Sequence, residues 1–145
     1  MKNWVAKNSL YISLAVSLAA TIGSLFFSEV LHYTPCVLCW YQRIFMYPLV
    51  IISLVAILNK DVGARRYILS LALIGALIGL YQNLLVWKIL SEKLAPCVNG
   101  VSCVTQPVVW FGFITIPLLS LLASVTIVTV TLITNTQYSC NKNIK

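Results

Sequence analysis

Four stretches of the chain are nearly free of charged side chains, and each is long enough to cross a bilayer as a helix. They cover residues 9–27, 41–58, 67–87 and 111–134. A helix rises about 1.5 Å per residue, so about 20 residues cross a hydrocarbon core of ~30 Å. No period-2 alternation runs through these stretches, which argues against membrane-barrel strands. The pattern predicts an all-α integral membrane protein. Residues 1–145 form one domain, a four-transmembrane-helix bundle with outer loops at 28–40 and 88–110. The second stretch is the shortest and carries Arg43 near one end, so that side chain belongs at the interface or inside the bundle.

Composition agrees with lipid as the main solvent. Hydrophobic residues make up 60% and charged residues 9%, with a mean hydropathy of +0.93. Soluble domains carry about 25% charge. The first stretch follows Lys2 and Lys7, and Ser17-Leu18-Ala19 faintly resembles a signal cleavage site. The apolar run continues to Phe27, past the about 7–15 residues of a signal-peptide core, so an uncleaved span is expected. Four spans place both termini on one side. Lys2, Lys7, Lys60, Arg65, Arg66, Lys142 and Lys145 fall there, against Arg43, Lys88 and Lys93 opposite. The excess predicts both termini in the cytoplasm. The net charge of +7 is thereby a topology signal, and its scatter over separate segments speaks against nucleic acid as a partner.

This topology sorts the five cysteines. Cys36 and Cys39 fall in the first outer loop, Cys97 and Cys103 in the second, and Cys140 alone in the cytoplasmic tail, where it reads as incidental. Disulfides persist outside the cytosol and are rare within it. A CxxC such as Cys36-Val37-Leu38-Cys39 can be a redox pair, half a zinc site or a staple. Pro35 disfavours helix just before it, so a helix is expected to begin at or just after the motif. Cys39 is then near a helix N-terminus with Arg43 one turn on, and both features favour a thiolate. Arg43 also reads as an interfacial anchor that snorkels toward the headgroups.

Cys97 and Cys103 enclose residues 98–102, where Asn99-Gly100 signals a turn. An exposed disulfide in such a loop is open to a partner's thiolate, whereas as a staple a small ring gains little. Zinc is the rival chemistry for the four outer cysteines, but structural sites space paired ligands by about 2–4 residues and the second pair is wider, so no metal is expected. A non-enzymatic membrane scaffold with structural outer disulfides is the other alternative. His32 reads as an interfacial loop residue.

Small residues recur at helix-packing spacing: Ser13, Ser17, Thr21, Gly23 and Ser24 in the first span, Gly75 and Gly79 in the third, Ser120 and Ser124 in the fourth. Pro48 and Pro117 are expected to bend the second and fourth helices. Gln82 and Asn83 are polar residues toward the outer end of the third span. They suit interhelical hydrogen bonds or, near Cys39 and Arg43, a hydrogen bond to a quinone carbonyl. Glu29, Asp61 and Glu92 are the only acids and are expected in loops, so hydrolase, kinase and transporter chemistry lacks parts. No flavin or haem motif is visible, so a dithiol pair that must be reoxidised calls for a diffusing two-electron acceptor in the membrane.

The run Pro35-Cys36-Val37-Leu38-Cys39-Trp40-Tyr41-Gln42-Arg43 resembles the DsbB/BdbC family of disulfide-bond formation proteins, as do Pro96-Cys97 with Cys103 and Trp110-Phe111-Gly112-Phe113. The likeness covers nearly the whole chain, and the short second-pair spacing is most similar to the BdbC branch. The resemblance implies a quinone-dependent, protein-disulfide-forming oxidoreductase in a bacterial plasma membrane, multi-pass, with its redox loops outside the cytoplasm. It implies a quinone cofactor (menaquinone or ubiquinone) and a DsbA-like, BdbD-type thioredoxin-fold thiol oxidase as partner. Cys97 would form the mixed disulfide with that partner, Cys103 would attack Cys36, and Cys39 would face the quinone bound with help from Arg43. Many members carry a histidine on the third helix where this chain has Gln82.

Overall fold

The computed structural model describes residues 2–32, 35–61, 63–90, 109–110 and 114–142. Four long helices dominate these residues: α1 (Lys2–Leu25), α2 (Val37–Leu58), α3 (Arg65–Val86) and α4 (Ile116–Lys142). Each contains a run long and apolar enough to cross a membrane. α1 passes into a π-helical turn at Phe26–Val30, closed by Leu31 N–H donating to the Phe26 carbonyl at 3.3 Å. Glu29, expected in a loop, belongs to this turn. The helix continues there because the apolar side chains of Phe26 and Phe27 favour leaving the backbone groups internally bonded at a membrane boundary.

The bundle is a ring. α1 packs on α2 and α4, and α3 packs on the same two helices. Its surface and interior are inverted relative to a soluble protein. Leu18, Ile22, Ile44, Ile51, Leu58, Leu77 and Leu122 are exposed, while Ser9, Ser13, Ser17, Ser53, Ser124, Thr131 and Thr134 are buried. Apolar side chains gain nothing by leaving lipid, so close backbone packing decides what lies inside. Three of the buried hydroxyls bond back to their own helix: Ser124, Thr131 and Thr134 each donate to the carbonyl four residues earlier at 2.7–3.0 Å. Gly75 and Gly79 serve this internal packing. A Cβ on Gly79 would lie 3.4 Å from Leu121 Cα, and one on Gly75 would lie 3.4 Å from Ser124 Oγ. An apolar cluster of Met46, Leu49, Ile68, Ala72 and Ile127 fills the middle.

Lysines stop two helices. After α2, Lys60 N–H donates to the Ile57 carbonyl and Asp61 N–H to that of Ala56, with Lys60 in the left-handed region at φ 54. After α3, Lys88 N–H donates to Leu85 and Ile89 N–H to Leu84, with Lys88 at φ 55. Both are Schellman closures with a lysine at the position glycine usually takes. Asp61 Oδ1 accepts from Gly63 N–H at 2.7 Å, turning the chain toward α3.

Two short strands precede α4, where the sequence pattern had suggested loop and helix. β1 (Val109–Trp110) pairs antiparallel with β2 (Ile114–Thr115), in the register Val109 to Thr115 and Trp110 to Ile114. α4 starts only at Ile116, so Pro117 sits in its first turn, where no backbone N–H is needed. It starts the helix instead of bending it. Pro48 lies within α2.

Candidate redox site

α2 begins inside the CxxC motif. Cys36 is its N-cap, with extended backbone at φ −71 and ψ 168, and its sulfur accepts the Cys39 backbone N–H at 3.4 Å. One helical turn puts residues three apart on one face, and here it brings Cys36 Sγ and Cys39 Sγ to 2.8 Å. The two sulfurs are in contact, the arrangement from which an intramolecular disulfide closes. Cys36 is buried and packs with Leu38 and Leu85, and Cys39, partly exposed, packs against that cluster.

The end of α3 supplies the polar partner. Gln82, fully buried, donates from Nε2 to Cys36 Sγ and to Cys39 Sγ, each at 3.3 Å. Its Oε1 accepts from Gln42 Nε2 on α2 at 2.8 Å. Both of its amide ends are thereby engaged, and its donors face the sulfurs. Asn83 turns away: its Nδ2 donates to the Gly79 carbonyl on its own helix at 2.7 Å.

Arg43 points into the bundle toward α1. Its Nε donates to Ser24 Oγ and its Nη2 to the Ser24 carbonyl, both at 2.9 Å. Its guanidinium also lies 5.7 Å from the centre of the Trp40 ring. The Ser24 bonds use two of the five N–H donors a guanidinium carries. Beside it opens a cleft of about 350 Å³ between α1, α2 and α4. Gly23, Ser24, Gln42, Arg43 and Tyr47 line it together with small residues of α1 and α4. Gln42 belongs both to the cleft wall and to the bond with Gln82, so the cleft and the sulfur pair share a residue.

The structure therefore gathers Cys36, Cys39, Arg43 and Gln82 at one end of the bundle. Gln82 contacts the sulfurs, and Gln42 is the glutamine on the cleft. Cys97 and Cys103 lie outside the described residues. Cys140 lies on the last turns of α4. Two positions on the cleft look like helix packing in the sequence. Gly23 meets open space, with nothing within 4 Å of a Cβ placed there, and Ser24 anchors Arg43. A stripe of small residues looks the same in sequence whether it closes an interface or leaves a void. Gln42 had a usable signal, since an amide within an apolar span needs a partner.

A family model described as "Disulfide bond formation protein DsbB" matches residues 6–134. The chain is 46% identical over 128 residues to "Disulfide bond formation protein C" of Bacillus subtilis, covering 88% of this chain and 91% of that protein. It is 45% identical to "Probable disulfide formation protein C 1" of Bacillus cereus, covering 82% and 86%. It is 43% identical to a "Probable disulfide formation protein" of Deinococcus radiodurans, covering 79% and 80%. No solved structure matches.

Proposed function

The chain belongs to the DsbB family of disulfide bond formation proteins, and we propose that it reoxidises the dithiol of a DsbA-like partner outside the cytoplasm and delivers the electrons to a membrane quinone. The observation that carries this reading is the contact of Cys36 and Cys39 at 2.8 Å, one turn from an arginine on the wall of a lipid-level cleft. A pair in contact can hold and release two electrons as disulfide and dithiol. A quinone supplies the two-electron acceptor at such a site.

The cleft fits a quinone headgroup by the character of its walls. It is mostly apolar and lies between helices, with volume toward the lower end of the about 300–1,000 Å³ seen for small-molecule sites. Arg43, held by Ser24, offers further N–H donors to a carbonyl oxygen. Cys39 is the sulfur nearer Arg43 in sequence and takes the role of passing electrons on. Cys97 and Cys103 take the role of receiving them from the partner, Cys97 through the mixed disulfide and Cys103 by attack on Cys36.

The test is an assay with purified, lipid-reconstituted protein, a reduced DsbA-like dithiol protein and a soluble quinone analogue. Cys39→Ser is expected to abolish thiol-dependent quinone reduction, and undiminished turnover in that variant removes the proposal. With the partner supplied in its disulfide form instead, the Cys97 thiolate of Cys103→Ser opens the partner's disulfide, releasing one partner thiol, and is expected to accumulate the partner disulfide-linked to Cys97. A partner linked elsewhere, or not at all, overturns the assignment of the second pair.

A further inference from the structure

We infer that Gln42 and Gln82 form an amide relay that sets the reduction potential of the Cys36–Cys39 pair. The inference rests on the redox reading of that pair and goes beyond it, by assigning to two neutral residues the tuning of its thiolate.

The relay is read from four bonds. Gln82 Nε2 donates to both sulfurs at 3.3 Å, and Gln82 Oε1 accepts from Gln42 Nε2 at 2.8 Å. The Cys39 backbone N–H adds a donor to Cys36 Sγ at 3.4 Å. A carboxamide has two chemically opposite ends, and only its NH2 end stabilises negative charge on sulfur. Alone, the Gln82 side chain could turn either end toward the cysteines. Gln42 couples the two amides head to tail: with its Nε2 donated to Gln82, Gln82 Oε1 is held on the far side. Gln82 is fully buried and has no water as an alternative partner, and Gln42, on the cleft wall, is nearly buried. Gln82 touches the reacting sulfurs. Gln42 is a positioning residue that acts through it.

The consequence follows from the balanced step. The disulfide takes up two electrons and one proton to give one thiol and one thiolate, and with glutathione as donor two molecules become one glutathione disulfide while one further proton is released. In the oxidised pair, Gln82 donates to neutral sulfur. In the reduced pair it donates to a thiolate, and hydrogen bonds to an ionised acceptor are roughly twice as strong as neutral ones. The relay therefore stabilises the reduced form and makes the disulfide a stronger oxidant. It does so through a neutral amide.

The experiment equilibrates the full-length chain, in lipid nanodiscs and without quinone or partner protein, against glutathione buffers at fixed pH. Cys97→Ser and Cys103→Ser in the background leave Cys36–Cys39 as the pair observed. Gln82→Leu is expected to lower the equilibrium constant for reduction by roughly tenfold, which is about 30 mV for a two-electron couple. Gln42→Met is expected to shift it in the same direction by a smaller factor. The double variant is expected to move no further than Gln82→Leu alone, because Gln42 works only through Gln82. Thiolate absorbance near 240 nm is expected to fall in parallel. Melting temperature reports the fold of each variant, and Gln42→Asn, which keeps a neutral amide but is one methylene too short to reach Gln82 Oε1, carries the test if the apolar variants melt early. Potentials unchanged within twofold in folded variants overturn the relay. Additive shifts in the double variant overturn the role of Gln42. Failure of the parent pair to cycle between disulfide and dithiol at all would instead overturn the proposed function.

Discussion

Single side chains decide what the cleft can hold. Gly23 has nothing within 4 Å of a Cβ placed there, so a large side chain at this position grows into the void instead of into a neighbouring helix. Gly23→Leu is therefore expected to fold with an unchanged or higher melting temperature and to lose quinone-dependent turnover through a raised KM for quinone. A lowered melting temperature with a normal KM would mean that the void is a packing fault and not a site. Ser24→Ala tests the anchor of Arg43. It removes the hydroxyl acceptor but leaves the backbone carbonyl that receives Nη2. One hydrogen bond to a charged group contributes about 1.5–3 kcal/mol, so a KM increase of roughly tenfold or more is expected, with a smaller change in kcat. Arg43→Lys should be worse than Ser24→Ala, since an ammonium cannot span both acceptors with the fixed fork of a guanidinium.

At the scale of elements, the helices were legible in sequence because lipid enforces them. A spanning segment must satisfy its own backbone and present apolar side chains outward, and both demands mark the sequence. What stayed hidden was set by contacts across the chain. The pairing of Val109–Trp110 with Ile114–Thr115 is too short to leave a periodic trace. Pro117 reads as a kink only if α4 is taken to begin before it, and the true start at Ile116 turns the same residue into a first-turn proline. The sulfur pair was visible because its members are three residues apart, whereas Gln42 and Gln82 are forty residues apart and no local pattern connects them. The helix stops themselves were legible to within a residue, but the way they close was not: lysine carries no signal for the left-handed region that Lys60 and Lys88 occupy. That conformation costs a side-chain-bearing residue about 1 kcal/mol or more, and glycine does not bear it. Lys60→Gly, far from the cysteines, is accordingly expected to raise the melting temperature in detergent by a few degrees with turnover unchanged. An unchanged or lower melting temperature would show that the charged side chain contributes more than the backbone loses.

For the molecule as a whole, the contacts fix which ends lie together before any orientation is assigned. Gln82 near the end of α3 touches Cys36 at the start of α2, and Ser24 near the end of α1 holds Arg43 on the first turns of α2. Ile116 and Leu119, at the start of α4, share the cleft with them. The ring thus runs alternately up and down, and the end of α1, the start of α2, the end of α3 and the start of α4 all lie at the cysteine end. Lys60, Arg65 and Arg66 emerge at the other. The direction expected for the ring rests on charge alone, because lysines and arginines near span ends tend to be retained in the cytoplasm. The expected result is specific to each cysteine. After reduction of intact cells, a membrane-impermeant thiol reagent should reach variants that keep only Cys97 or only Cys103, and should reach a Cys140-only variant solely after permeabilisation. Cys36 and Cys39, packed against Leu85 and Gln82, should react more slowly than the second pair on the same side. Labelling of Cys140 in intact cells would reverse the orientation while leaving the ring intact. Labelling of Cys97 and Cys103 from the side opposite Cys36 would be incompatible with α3 and α4 meeting at the cysteine end, and electrons could then not pass between the two pairs by direct sulfur contact.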